Sequence, residues 1–293
     1  MTTPAITHIG IVVTDLEQSR ANWAKAMDLP FSPIIRYRPQ AWAIEGAKKS
    51  NSSHDLDLRQ FIYFGVNPSI EIQQFVDNGT HASEVGEGGH HIGFSPVSDT
   101  AFNRTSLEKN NFRIRSSVVF GDREVIQFTH NEDLDNVSTE WVELSDGHLD
   151  LKDDGSILDK NSNGNSTFFD TQTIKTFGTE RPESSIREIA IYVSDLDKSV
   201  QKWSKLSGKS FTSSESRVAV ALSNGPGVLI RLIENKNTET RNGIFKLVVY
   251  VQDLMTKKIA LERNKVPITL STLHRLSVSP RYLNGMMVEF VDR

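Results

Sequence analysis

One pattern recurs four times along this chain. Each copy is an alternating β-rich run that ends at an aspartate and is followed by a stretch of helical character. The four runs are HIGIVVTDL (8–16), HIGFSPVSD (91–99), EIAIYVSDL (188–196) and KLVVYVQDL (246–254). Because one βα unit is used four times, the chain is restricted to folds that are built by duplication of that unit.

Each repeat has the sequence pattern of a half-covered βα unit. In the first copy, Ile9, Ile11 and Val13 alternate with the other strand residues, which predicts one apolar strand face. An aspartate stands where each helix should begin, a position that favours an N-cap. A further strand closes each copy, within SIEIQQF (69–75), EWVELSD (140–146), VLIRLIE (228–234) and MMVEFVD (286–292). We therefore predict an α+β fold of four βαβββ modules, with helices on one sheet face only.

A polar segment divides the four copies into two pairs. Residues 150–170 are rich in Asp, Asn, Ser and Gly and separate the second copy from the third. This composition is typical of a linker or a long surface loop. We predict a first domain over residues 1–149, a linker or long loop over 150–184, and a second domain over 185–293, each domain with two modules.

The composition excludes several kinds of site and partner. The chain has 293 residues, no cysteine and a formal net charge of −4. Disulfides, thiolate metal sites and a cysteine nucleophile are therefore excluded, and the acidic balance does not favour nucleic acid. The first residues do not resemble a signal peptide, and no apolar run approaches the length of a transmembrane helix. We expect a cytoplasmic protein, monomeric or homodimeric, that acts on a small molecule and binds neither nucleic acid nor membrane.

Four polar residues stand at matching places in the first two copies. His8 and His91 open the strands that share the motif HIG, and Glu71 and Glu143 are matched in the closing strands. If the two units pack about a pseudo-two-fold axis, the four side chains meet on the helix-free face of the sheet. Two imidazoles and two carboxylates suit one divalent ion such as Zn²⁺, Ni²⁺, Co²⁺, Mn²⁺ or Fe²⁺. We predict one such ion as cofactor, with His8, Glu71, His91 and Glu143 as ligands.

Each of these residues also has a simpler interpretation. A lone strand histidine is more often structural than a ligand, and a single strand glutamate is more often solvated. The recurrence of the four residues in register with an internal repeat favours the metal site. His90 lies one residue out of phase with His91, so strand alternation predicts that His90 points away from the ion, in a supporting or structural role.

The second pair of repeats lacks this ligand set. Its equivalent positions hold Glu188, Arg231, Lys246 and Glu289. Arginine and lysine do not ligate metal ions under ordinary conditions. The four residues are either an ion-pair network or scattered solvent-exposed charge, and we expect no metal ion in this half.

The motifs HIGIVVTDL, GGHHIGF and WVELSD resemble the ligand-bearing strands of the vicinal oxygen chelate superfamily. That superfamily includes glyoxalase I, methylmalonyl-CoA epimerase, extradiol dioxygenases and fosfomycin-resistance proteins. The resemblance covers nearly the whole chain and implies two tandem glyoxalase-like domains, the first metal-binding and the second degenerate. The ligand order His, Glu, His, Glu is similar to that of bacterial glyoxalase I, whereas methylmalonyl-CoA epimerase typically has Gln at the place of Glu71.

The resemblance implies an enzyme. The expected activity is that of a metal-dependent isomerase, epimerase or lyase that acts on a small carbonyl compound through a metal-stabilised enolate. By this analogy Glu143 or Glu71 is the catalytic base, and the sequence does not choose between them. Two alternatives remain open: an extradiol-type ring-cleaving dioxygenase, although such enzymes usually hold iron in their second domain, and a non-catalytic ligand-binding protein on the same fold.

Overall fold

The computed structural model describes the strands and helices of all four repeats. The residues described are 5–29, 35–37, 41–44, 59–64, 68–75, 86–97, 99–120, 123–143, 150–151, 157–158, 184–222 and 228–292. Within them, the chain forms two large sheets, one short two-stranded sheet and four α-helices.

The first sheet has nine strands and contains the first two repeats. In chain order the strands are β1 (Ala5–Val12), β2 (Ile35–Tyr37), β3 (Ala41–Ile44), β4 (Arg59–Phe64), β5 (Ser69–Phe75), β6 (Gly88–Val97), β7 (Ile114–Phe120), β8 (Arg123–Thr129) and β9 (Ser138–Glu143). Their spatial order is β2-β4-β5-β1-β6-β9-β8-β7-β3. The opening strands β1 and β6 are antiparallel neighbours at the centre, and each has the closing strand of its own repeat, β5 or β9, as a parallel neighbour.

The second sheet repeats this arrangement with eight strands. A short hairpin of β10 (Asp150–Leu151) and β11 (Ile157–Leu158) precedes it in the chain. The sheet contains β12 (Ser184–Val193), β13 (Thr212–Glu215), β14 (Val218–Leu222), β15 (Leu229–Glu234), β16 (Gly243–Val251), β17 (Ile268–Ser271), β18 (Arg275–Val278) and β19 (Met287–Val291). Their order is β13-β14-β15-β12-β16-β19-β18-β17, with β12 and β16 antiparallel at the centre. The predicted α+β fold of tandem βαβββ modules is confirmed.

One helix follows the first strand of each repeat. The helices are α1 (Leu16–Met27), α2 (Thr100–Lys109), α3 (Leu196–Ser207) and α4 (Leu254–Arg263). Each begins after an aspartate whose carboxylate accepts a hydrogen bond from a backbone N–H of the first turn, and the four caps are Asp15, Asp99, Asp195 and Asp253. The N-cap predictions are thus confirmed, and each such cap stabilises its helix by about 1 kcal/mol. No helix in the described part of the chain is long and apolar enough to cross a membrane.

The helices cover one face of each sheet and leave the other face without helices. Trp23 of α1 and Trp203 of α3 are fully buried and belong to the apolar core, together with strand residues such as Ile9. Because side chains alternate along a strand, the residues on either side of Ile9, His8 and Gly10, lie on the opposite, helix-free face. The sequence repeat therefore places its polar strand residues where no helix covers them.

The first sheet is curled on itself. Its two edge strands, β2 and β3, lie at opposite ends of the strand order, yet β2 ends at Tyr37 and β3 begins at Ala41. Four residue steps of chain span at most about 14 Å. The two edges therefore lie close together, and the helix-free face is on the inside of the curl. The second sheet has no strand equivalent to β3 in the described part of the chain.

The two halves of the molecule contact each other through the helices of the second half and through strands β6 and β16. The Nζ atom of Lys257 in α4 donates a hydrogen bond to the carbonyl oxygen of Met27 at the end of α1, at 2.7 Å. On the other side, the hydroxyl of Ser199 in α3 donates to the carboxylate of Asp135, at 2.6 Å. In both contacts a helix of the second half is hydrogen-bonded to the first half.

The predicted domain limits are not decided by these elements. The first sheet ends at Glu143 and the second begins at Ser184. Most of the predicted linker, 150–184, lies outside the described residues. The division into 1–149, 150–184 and 185–293 stays a prediction.

Candidate metal centre

Four side chains meet on the enclosed face of the first sheet. They are His8 of β1, Glu71 of β5, His91 of β6 and Glu140 of β9, and one potential ligand atom from each lies within 4.8 Å of all the others. All four residues are buried, with at most 1% of their surface exposed. Charged and polar groups buried this deeply require partners or a metal ion.

The spacing of these atoms fits a single ion. Nε2 of His91 lies 3.1 Å from Oε2 of Glu71 and 3.0 Å from Oε2 of Glu140. Nε2 of His8 lies 3.2 Å from Nε2 of His91, 3.3 Å from Oε2 of Glu140 and 3.7 Å from Oε2 of Glu71. Ligands bound at about 2.0–2.2 Å to one ion lie about 2.8–3.6 Å apart at adjacent positions. The donor set and its spacing therefore fit one divalent ion.

The glycine of each HIG motif makes room for the other motif's histidine. A Cβ added to Gly10 would overlap the ring of His91, and a Cβ added to Gly93 would overlap the ring of His8. The two strands are antiparallel neighbours in which Gly10 pairs with His91 and His8 pairs with Gly93. Each imidazole thus lies across the neighbouring strand, and this reciprocal arrangement brings the two rings together.

The fourth member of the cluster is Glu140 and not the predicted Glu143. In the strand register, Gly93 pairs with Glu140 as Gly10 pairs with Glu71. The equivalence of Glu143 with Glu71 was therefore wrong by three residues. An odd offset moves a residue to the other face of a regular strand, so Glu143 does not stand at the equivalent place. The side chain of Glu143 itself lies outside the described residues.

A signal for Glu140 is present in the sequence. In the first repeat a glutamate stands six residues before an aspartate, in EIQQFVD (71–77), and the second repeat has the same spacing in EWVELSD (140–146). The predicted Glu143 stands only three residues before Asp146. The first two repeats, compared only with each other, would have given Glu140.

A β-bulge changes the expected position of His90. The register between β1 and β6 shifts twice, and Thr7 and His90 are the residues outside the regular pairing. At a bulge, consecutive residues no longer alternate strictly between the faces. Its Nδ1 lies 2.9 Å from Nδ1 of His91, whereas Nε2 of that ring faces the cluster, and the residue is buried. His90 therefore contacts a clustered histidine without joining the cluster, which fits the predicted supporting role.

Further hydrogen bonds hold the cluster from outside. The Oγ1 atom of Thr7 lies 3.2 Å from Nδ1 of His8. The amide of Gln73, two residues along β5, donates to Oε2 of Glu71 at 2.6 Å. Supporting contacts of this kind orient metal ligands and fix their tautomers. None of these supporting roles was assigned from the sequence.

Hydrogen bonds and charge interactions between the carboxylates and the imidazoles shift the pKa values of His91 and Glu140. Burial alone lowers the pKa of His91, but hydrogen bonds and charge interactions with Glu140 and Glu71 outweigh it and raise that pKa to about 9. Burial raises the pKa of Glu140, but contacts with His8 and His91 outweigh it and hold the pKa well below its usual range. Without a cation the site therefore retains protons on imidazole, and a metal ion would replace them.

The equivalent face of the second sheet holds an ion pair. By strand register, Glu188 and Lys246 stand where His8 and His91 stand in the first sheet, and Ala190 and Val248 replace the two glycines. The Nε atom of Arg231 lies 2.8 Å from the carboxylate of Glu188. Side chains at the glycine positions occupy the space that the imidazole rings need, and a guanidinium provides the positive charge.

Part of the chain matches a known family in sequence. Residues 7–128 match the model described as the Glyoxalase/Bleomycin resistance protein/Dioxygenase superfamily. This segment includes three of the four clustered residues, His8, Glu71 and His91. No curated protein is significantly similar in sequence to this chain.

Solved structures share the fold over nearly the full length of the chain. A mutant of 4-hydroxymandelate synthase from Streptomyces coelicolor has a TM-score of 0.64 at 12% identity, covering 100% of this chain and 93% of that one. The 2,3-dioxygenase LapB from Pseudomonas sp. KL28 has a TM-score of 0.59 at 10% identity, covering 100% and 94%. The 2,2',3-trihydroxybiphenyl 1,2-dioxygenase from Sphingomonas wittichii strain RW1 has a TM-score of 0.55 at 10% identity, covering 99% and 91%. At these identities the likeness shows a shared fold and does not specify a reaction.

The sequence match and the fold agree with the resemblance that the repeat motifs carry. The matched segment contains both HIG motifs, and the tandem sheets extend the same architecture to the rest of the chain. The resemblance is thus confirmed: residues 7–128 carry the sequence pattern of the glyoxalase/bleomycin resistance protein/dioxygenase superfamily, the vicinal oxygen chelate superfamily.

Proposed function

We propose that the first sheet binds one divalent metal ion through His8, Glu71, His91 and Glu140. We also propose that the protein is a metal-dependent isomerase, epimerase or lyase that acts on a small carbonyl compound. The observation that carries the proposal is the convergence of four buried ligand atoms within 4.8 Å of one another. Two neutral imidazoles and two carboxylates balance the charge of a divalent ion and suit Zn²⁺, Ni²⁺, Co²⁺, Mn²⁺ or Fe²⁺.

The carboxylates of the chain supply the base. When bound, the ion supplies a Lewis acid that polarises a substrate carbonyl and acidifies the neighbouring C–H bond. Glu71 is held by the 2.6 Å hydrogen bond from Gln73, whereas the contacts that the structure describes for Glu140 are with the imidazoles of His8 and His91. Glu140 is therefore better placed to move and accept a proton, and it replaces Glu143 as the candidate base beside Glu71.

The enclosure of the site supports proton transfer. The four residues are at most 1% exposed, and they lie on the inner face of a curled sheet. Exclusion of water strengthens electrostatic interactions in such a site and limits side reactions of a carbanionic species. The burial of the four residues thus favours a catalytic site for proton transfer. It does not favour a structural metal site at the surface.

Metal analysis tests the first requirement. The purified full-length chain is treated with a chelator, reloaded with each candidate ion in turn and analysed for bound metal, in parallel with the variant Glu140→Gln. We expect about one ion per chain for the wild type and a marked loss for the variant. A wild-type chain that binds none of these ions would overturn the proposal.

Solvent exchange tests the reaction. The loaded protein is incubated in D₂O with hydroxyacetone, dihydroxyacetone, pyruvate or the hemithioacetal of methylglyoxal and glutathione, and proton NMR follows the signal next to the carbonyl. Metal-dependent loss of that signal, absent in Glu140→Gln, supports the proposed chemistry. Absence of exchange with every compound, despite full metal loading, counts against it.

A ring-cleaving dioxygenase is the second candidate. Two solved structures with this fold are dioxygenases. Oxygen uptake with catechol after loading with Fe²⁺ separates this reaction from proton transfer. A ligand-binding protein without turnover would show neither oxygen uptake nor exchange.

A further inference from the structure

The two β-bulges between β1 and β6 lie directly beside the candidate metal site. Their extra residues, Thr7 and His90, each come immediately before a clustered histidine, His8 or His91. In both cases the side chain of the bulge residue contacts Nδ1 of the histidine, while Nε2 of the same ring faces the cluster. The two rings are therefore supported in the same way from two different strands.

The contacts of Thr7 fit a hydrogen on Nδ1 of His8. The hydroxyl of Thr7 donates to the carbonyl oxygen of Gly93, at 3.4 Å, and its Oγ1 lies 3.2 Å from Nδ1 of His8. A hydroxyl has a single hydrogen to donate. With that hydrogen directed to the carbonyl, Oγ1 is free to accept from Nδ1–H of His8, an arrangement in which the lone pair is on Nε2.

His90 plays the same part for His91. Their Nδ1 atoms lie 2.9 Å apart, so one must donate and the other must accept. Nε2 of His91 is the atom that lies 3.0–3.2 Å from the other ligand atoms, and it must lack hydrogen to bind an ion. Nδ1 of His91 then carries the hydrogen and donates it to His90.

We propose that Thr7 and His90 are positioning residues, which hold both histidines in the Nδ1–H tautomer with Nε2 directed at the ion. The inference rests on the proposed metal site and adds the means by which the ligand tautomers are set. Both acceptors are neutral in this arrangement. The charge balance of two carboxylates and one divalent ion is therefore preserved, as it would not be with a carboxylate behind either ring.

The second sheet provides an internal comparison. The register of β12 and β16 shifts at the equivalent places, where the extra residues are Arg187 and Phe245. Arg187 lies over the ring of Tyr250 at 4.9 Å, and Phe245 stacks on Tyr192 at 3.6 Å. The bulges therefore belong to the fold, whereas acceptors for a histidine Nδ1–H occur at these positions only in the sheet that has histidines.

Paired variants distinguish the effect of losing the hydrogen bond from the effect of changing the bulge residue. His90→Phe removes the acceptor but keeps a planar ring, and Phe245 shows that such a bulge accommodates phenylalanine. His90→Asn keeps an acceptor oxygen near the place of Nδ1. Thr7→Val and Thr7→Ser form the matching pair for His8. Phe245→Leu is the control, because it alters the same kind of bulge in the sheet that lacks the ligand set.

Zinc affinity is the first measurement. The Zn²⁺ dissociation constant of each full-length variant is measured by competition with a chromophoric chelator. We expect His90→Phe and Thr7→Val to bind about 10–100-fold more weakly, His90→Asn and Thr7→Ser to recover most of that loss, and Phe245→Leu to bind like the wild type.

Nitrogen-15 NMR of the histidines is the second measurement, since a general loss of stability would not produce its signature. In the Zn²⁺-loaded wild type we expect two slowly exchanging Nδ1–H signals, with loss of the His91 signal alone in His90→Phe and of the His8 signal alone in Thr7→Val. Wild-type affinity and intact signals in both variants would overturn the inference. If His90→Phe does not fold, the Thr7 pair decides; a wild type that binds no Zn²⁺ would overturn the proposed function instead.

Discussion

Nε2 of His8 lies 3.2 Å from Nε2 of His91 inside the first sheet, although the two residues belong to different repeats. Two imidazole nitrogens with bare lone pairs repel each other at this distance. A proton or a cation must therefore lie between the rings and the carboxylates of Glu71 and Glu140. Without a metal ion, a proton meets this requirement, and the pKa of His91 is accordingly raised to about 9.

Glu140 and Glu143 provide a matched test of which glutamate belongs to the site. Glu140→Gln removes a charged ligand atom 3.0 Å from Nε2 of His91, so we expect metal affinity to fall by at least about 100-fold, as for the loss of a direct ligand. Glu143→Gln makes the same chemical change three residues away, where the register gives no equivalence with Glu71.

The measurement is the dissociation constant for Zn²⁺ or Co²⁺, with circular dichroism to show that both variants fold. We expect Glu143→Gln to bind within about threefold of the wild type. Equal loss in the two variants, or a larger loss in Glu143→Gln, would contradict the assignment of Glu140.

Gly93→Ala tests whether the ring of His8 needs the open space over the neighbouring strand. The added methyl group would overlap that ring, so the imidazole must move out of the cluster or the strands must separate. Overpacking of this kind costs about 1–3 kcal/mol of stability, and we expect metal affinity to fall by more than about tenfold.

Ser277→Ala, in the second sheet, serves as the control for a small change at a buried strand position. Isothermal titration with Zn²⁺ and denaturant unfolding are measured on both variants. If Gly93→Ala bound zinc like the wild type, the ring of His8 could not lie where the structure places it.

The repeat pattern was sufficient to predict the architecture and three of the four residues that cluster on the first sheet. Asp15 and its three equivalents cap helices as predicted, because a local hydrogen bond decides that position. His8, Glu71 and His91 meet because each stands at a fixed place in a duplicated unit. The sequence predicted a residue's position correctly where its local chemistry and its place in the repeat indicated the same position.

The sequence was insufficient where the pairing of two strands does not follow from counting residues along the chain. Glu143 was chosen over Glu140 because the motifs were matched without the strand register, in which Gly93 pairs with Glu140. Strand alternation also missed the contact of His90 with Nδ1 of His91, because a β-bulge interrupts the alternation, and a bulge depends on pairing between distant strands. The support from Gln73 could not be predicted either, since it requires the orientation of one side chain toward another.

Arg231→Met tests the role of the ion pair in the second sheet. Glu188 is 7% exposed, and its carboxylate lies 2.8 Å from Nε of Arg231. Removal of the cation leaves a buried carboxylate without its partner, so we expect a loss of about 1–3 kcal/mol in the free energy of unfolding; partial exposure of Arg231 keeps the loss below that of a fully buried pair.

The double variant Glu188→Met/Arg231→Met removes both charges and should recover most of that stability. Urea unfolding of the two single variants and the double variant gives the coupling between the residues. Additive losses would mean that the pair has no specific interaction. Zinc affinity should stay at the wild-type value throughout, since these residues lie on the other sheet.

Lys257 makes the stability of the interface between the two halves depend on pH. Its Nζ donates to the carbonyl oxygen of Met27 and lies 4.4 Å from the ring centre of Phe290. Burial lowers the pKa of Lys257 to about 8, only partly offset by the charge of Asp28. Below pH 8 both the folded and the unfolded chain hold this proton, and the folded state bears the cost of a buried charge.

Between about pH 8 and pH 10.5 the folded chain loses the proton while the unfolded chain keeps it, so this residue makes stability rise with pH in that window. The full effect corresponds to about 3 kcal/mol. Lys257→Met removes the titration, and we expect the variant to be the more stable protein at pH 7. Chelator-treated wild type and variant are unfolded in urea at pH 7.5 and pH 10, and their difference in unfolding free energy is compared. A difference that stays constant across this range would show that Lys257 keeps an ordinary pKa in the folded protein.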